Sequence, residues 1–132
     1  MKWYLIVLLL SSSSAVADSS FTAGELMKDC KADTTKLTST LDDHYSRGVC
    51  AGYILGWMDA STDSVILTKD GPATVAFEDG VDVGQIKRVF MKYIDEHPEV
   101  EHEPASRTLP KIMQEAHLAH AVAVKQPLVR EQ

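Results

Sequence analysis

Two cysteines, Cys30 and Cys50, and five histidines, His44, His97, His102, His117 and His120, are the residues best suited to chemistry in this chain of 132. A Cys-His pair could act as a nucleophile, but that needs a free thiolate. Two lone cysteines twenty positions apart also lack the paired spacing of a zinc site. The simplest pairing is of each with the other, the one intramolecular connectivity available, closing a loop that stabilises by roughly 3 kcal/mol. His117 and His120, one helical turn apart, could join His97 and His102 in a metal or proton-sensing cluster. The plainer reading is stronger: His97 closes a helix, where its cation suits the dipole, and His102 stays in water. No nucleophile motif of the Gly-x-Ser-x-Gly type is present. Neither a catalytic site nor a metal or cofactor is expected.

The disulfide reading agrees with the start of the chain. Lys2, an apolar run from Trp3 to Leu10 and the small residues Ala15-Val16-Ala17 have the layout of a cleaved export signal, residues 1–17, with the cut before Asp18. The run is shorter than the ~20 residues a membrane-spanning helix needs, so a span is not expected. Residues 18–132 then suit one domain in an oxidising compartment, the periplasm being the expected location. Without Lys2 the charged residues are 12 basic and 19 acidic, a formal net charge of −7. That balance disfavours nucleic acid and favours a basic protein surface.

Helices must position these residues. Thr22 and Glu25 form a capping-box pattern, starting a helix through Leu26, Met27 and Cys30. A polar stretch from Lys31 to Thr40 precedes a second helix starting at Ser39 to Leu41 and carrying Leu41, Tyr45, Val49, Tyr53, Ile54 and Trp57. Asp82 and Gln85 cap a third, whose Val83, Ile86, Val89, Phe90, Tyr93 and Ile94 make one apolar stripe ending at His97, before Pro98. Leu109, Ile112, Met113 and Ala116 mark a last helix, which Pro110 either restarts near Thr108 or kinks. Residues 61–82 read either as a short hairpin around Lys69-Asp70-Gly71-Pro72 or as a loop with a helical start. The tail beyond Gln126 reads as frayed. Tyr45, Tyr53, Trp57, Phe90 and Tyr93 have core periodicity.

Gly48, Gly52 and Gly56 lie four apart within the second helix, each costing it roughly 0.5–1 kcal/mol relative to alanine. With Ala60 they form a small-residue row that would let another backbone cross closely. The packing motif is Gly48, Gly52, Tyr53, Gly56 and Asp59.

Phe21, Gly24, Leu26 and Cys30 are followed by Cys50-Ala-Gly-Tyr-Ile-Leu-Gly56 and Asp59-Ala60. Gly80-Val81, Gln85, Val89, Tyr93-Ile94, His97-Pro98-Glu99, His102 and Pro104-Ala105 come after them. This order, over roughly residues 21–119, resembles the Rap1a/Tai family, small secreted helical proteins that include immunity proteins against peptidoglycan amidases delivered by type VI secretion. Family members often carry a second cysteine pair; Ala76 and the 116–121 stretch hold no cysteine here. The resemblance implies an all-α, disulfide-tied bundle of four to five helices that inhibits a cell-wall amidase and pairs as a homodimer. Two segments would carry the partner contact: the 61–79 linker with Asp70, Glu78 and Asp79, and the acidic corner 95–103 with Glu96, Glu99 and Glu101. Trp57, beside the glycine row, would serve as an interface anchor. The competing reading is a periplasmic acid-stress holdase, whose histidines and carboxylates gain positive charge as pH falls, or another envelope protein-binding module.

Overall fold

A computed structural model describes residues 21–124. The expected export signal at 1–17 and the expected fraying beyond Gln126 lie outside the described residues. Helix α1, Ala23–Cys30, starts as its capping box dictates: the Thr22 hydroxyl accepts from the Glu25 amide at 3.2 Å and the Glu25 carboxylate accepts from the Thr22 amide at 2.8 Å. Helix α2, Leu41–Asp63, begins with a second such box between Thr40 and Asp43. The hairpin β1, Ile66–Thr68, and β2, Gly71–Phe77, comes next. Helix α3, Val83–Glu96, is capped by Asp82, which accepts from the Gln85 amide at 2.7 Å. A short 3-10 turn, Pro98–Val100, leads to helix α4, Ala105–Glu115, and strand β3, Ala119–Ala123.

The expected all-α bundle is therefore corrected. The described residues contain a three-stranded antiparallel sheet in the order β1-β2-β3, with Ala73 opposite Ala123 and Phe77 opposite Ala119. The reason lies at the end of α4. His117 adopts φ 56°, its amide donates to the Gln114 carbonyl at 3.1 Å, and the Leu118 amide reaches back to Met113 at 2.9 Å. This is the left-handed stop that glycine usually supplies, and it turns Ala119–Ala123 out as a strand. The 61–82 segment continues α2 to Asp63 and then forms the hairpin, Lys69 and Asp70 being its two turn residues and Gly71 taking φ 112°. Pro110 sits inside a continuous α4.

The core joins all four helices: Leu26 of α1, Ile54 of α2, Ile86, Phe90 and Ile94 of α3, and Leu109, Ile112 and Met113 of α4 are all buried. Each such side chain contributes about 1.5–3 kcal/mol by leaving water. The disulfide Cys30–Cys50 ties α1 to α2 inside this core, and both cysteines are buried. Tyr45, read as core, is exposed on the far side of α2.

Candidate partner-binding surfaces

The acidic corner is built on α1. Its Ala23 amide donates to the Glu103 carbonyl and its Gly24 amide to the Glu101 carbonyl, both at 2.8 Å, while the Ala105 amide donates to Phe21 at 2.9 Å. These bonds satisfy amides that a helix start leaves without partners. They also require closeness: a Cβ on Gly24 would stand 3.1 Å from the Glu101 oxygen. Val100 is buried beneath, and Glu96, Glu99 and Glu101 remain exposed. Glu99 lies 3.1 Å from His97 Nδ1; its own backbone amide first, and then this ring, hold its carboxyl below the ordinary value. Asp95 meets Lys31 at 3.1 Å and Glu96 meets Lys92 at 3.9 Å. Exposed pairs like these offset little of the negative field, and Glu101 has no ion-pair partner among the described residues.

The second expected contact segment is divided by the sheet. Asp70 stands at the hairpin turn, whereas Glu78 and Asp79 follow the other end of β2, roughly 20 Å away for a strand of that length. Glu78 faces His120 Nδ1 at 2.9 Å, and its amide donates to Leu118. Trp57 does not stand free as an anchor: half-buried, it meets Phe77 edge-on with ring centroids 5.5 Å apart. It lines a cavity of about 320 Å³ with Ala60, Ile66, Val75 and Pro110. Tyr53 is likewise half-buried, 5.2 Å from the Phe21 ring; burial pushes its hydroxyl pKa up, with Ser106 pulling the other way.

The glycine row is not crossed within the described residues. A Cβ added at Gly48, Gly52 or Gly56 would meet no atom within 4 Å, so no backbone of the described residues crosses there. α2 is apolar on two faces. Cys50 and Ile54 are buried, while Leu41, Tyr45 and Leu55 are 88%, 74% and 51% exposed. Leu41, Tyr45, Gly48, Gly52, Leu55 and Asp59 are spaced alternately by four and three, which places them on one outer seam. This face was missed because the same helix also carries a core stripe, and the alternating spacing is the signal that reveals it.

The described residues thus hold a disulfide-tied scaffold with an acidic corner bonded to α1 and an exposed apolar seam on α2. No cluster of three or more His, Cys, Asp or Glu among the described residues is arranged to hold a metal ion. The family model of the Rap1a immunity proteins matches residues 22–117, and the chain belongs to that family. It is an immunity-type protein. No curated protein and no solved structure matches.

Proposed function

We propose that the chain is an exported periplasmic protein that binds and inhibits a cell-wall peptidoglycan amidase effector of type VI secretion. The family match over 22–117 carries this reading. The export layout of residues 1–17 and the disulfide support an oxidising compartment. Inhibition needs a stiff wedge that covers a cleft, and the backbone bonds from α1 to Glu101 and Glu103 give the acidic corner that stiffness. Its charge would draw a basic rim and speed encounter.

The outer seam of α2 suits a second copy of the chain. Two such helices related by a twofold axis would set Gly48 against Gly52 and Tyr45 against Leu55, each residue meeting its exchange partner. Glycines at the axis allow close approach, and the flanking large side chains cover one another.

Removing the hairpin would not be a clean test, because β2 is the central strand and holds buried Ala73. Substitution of exposed corner residues is. The amidase of the same organism should be retained by the immobilised protein and released by the Glu96→Lys, Glu99→Lys, Glu101→Lys variant. Equal retention by both proteins would reject the corner as the contact, and retention by neither would reject the amidase reading.

A further inference from the structure

In a chain with an acidic excess, three cations converge between α2 and the start of α3. Arg47 from α2, with Lys87 and Arg88 from α3, line a cavity of about 390 Å³ together with Cys50, Ala51, Val83 and Gly84. Gathering like charges is unfavourable unless an opposite charge is brought among them. Yet no carboxylate forms an ion pair with any of the three among the described residues. Arg47 instead donates to the Thr34 hydroxyl of the 31–40 loop. Asp82, the acidic residue nearest in sequence to Lys87 and Arg88, accepts from the Gln85 amide through Oδ1. A Cβ on Gly84 would stand 3.2 Å from Asp82 Oδ1 and 3.5 Å from Arg88 Nη1, so this one carboxylate borders the cavity beside Arg88 without forming an ion pair with it.

The lining also selects the anion. A hydrated inorganic ion gains nothing from apolar lining, whereas a carboxylate on a short hydrocarbon stem can set its charge against the cations and its methylenes against Cys50, Ala51 and Val83. The disulfide at Cys50 ties this lining residue to α1. We propose that this cavity is an acceptor site for an acidic side chain on an exposed loop of a protein partner. The site is of opposite polarity to the 95–103 corner and does not depend on the partner being an amidase. Two surfaces of opposite sign on one small scaffold would fix a partner's orientation, since a rotated complex would bring like charges together.

The test uses the full chain, exported, oxidised and labelled with nitrogen-15, titrated with a capped hexaglutamate peptide, a capped hexalysine peptide and inorganic phosphate. Hexaglutamate should give saturable amide shifts confined to the neighbourhood of Ala51, Gly84, Lys87 and Arg88. Its affinity should fall roughly tenfold as salt rises from about 50 to about 300 mM. Lys87→Gln with Arg88→Gln, which keeps long stems while removing charge, should abolish these shifts with the rest of the spectrum unchanged. Arg47→Gln alone should weaken them, which covers the case in which the double variant fails to fold. The absence of saturable shifts, shifts spread over the surface, or binding that survives these substitutions would overturn the proposal. Tighter binding of phosphate at the same amides would overturn the side-chain assignment in favour of a small-anion site.

Discussion

The Gly24 amide donates to the Glu101 carbonyl at 2.8 Å, and a Cβ on Gly24 would come within 3.1 Å of that same oxygen. The close backbone approach that a glycine row suggested for α2 occurs here, between the first turn of α1 and the acidic corner. The corner is thereby joined to the element that the disulfide ties to α2.

Gly24→Ala should destabilise the fold by about 1–3 kcal/mol, the range for forcing a methyl group into a packed contact. Urea unfolding measures it, and an unchanged midpoint would show that the corner yields freely.

Gly48→Ala and Gly52→Ala should act in the opposite sense, each raising the stability of the monomer by roughly 0.5–1 kcal/mol because the added methyl meets open space on a helix. If two copies meet along this seam, the same changes should weaken self-association in sedimentation while stabilising each copy. Loss of monomer stability would mean that the glycines are held by a contact within the chain.

The sequence carried the helix starts well, because caps are local: Thr22 with Glu25 and Asp82 with Gln85 each need only their own side chains, and the second start fell within Ser39 to Leu41 although the Thr40–Asp43 box behind it was not singled out. The core stripe of α3 and the cysteine pairing were legible for the same reason. β3 was not, since its start depends on His117 accepting a left-handed backbone that glycine would have advertised. The two faces of α2 were merged, and the core periodicity of Trp57 left its reading as an interface anchor open, because its partner Phe77 lies twenty positions away across a hairpin. The corner's acidity was visible, but the carbonyl bonds that support it join residues nearly eighty apart.

His117→Gly should leave the fold intact and raise its stability, by up to about 1 kcal/mol, since glycine adopts this backbone without the steric cost an L side chain bears. Thermal unfolding reads the change, and a marked loss would show that the imidazole itself holds the turn.

Stability should decline with acid in a defined way. The Thr22 amide, then its hydroxyl, hold Glu25 below its ordinary 4.5; the Thr40 amide, then its hydroxyl, hold Asp43 below its ordinary 3.8. Groups depressed in the folded state stabilise it fully above those ordinary values, and that contribution is lost as pH falls through the lower folded values. Urea midpoints should therefore fall below about pH 4.5, with the slope reduced in Glu25→Gln. Equal slopes in the two proteins would mean that the capping carboxylate does not report folding.

Reduction of Cys30–Cys50, or Cys30→Ser with Cys50→Ser, should cost roughly 3 kcal/mol for a closed loop of this length. Denaturation with and without reductant measures it. A loss well under 1 kcal/mol would show that the buried helix contacts alone fix α1 against α2.

The most direct test of the central reading is a titration of the amidase effector of the same organism with the full oxidised chain, following peptidoglycan cleavage. Turnover falling to zero at stoichiometric protein, and recovering with the Glu96→Lys, Glu99→Lys, Glu101→Lys variant, is the predicted result. Undiminished cleavage in a saturating excess of the chain would contradict it.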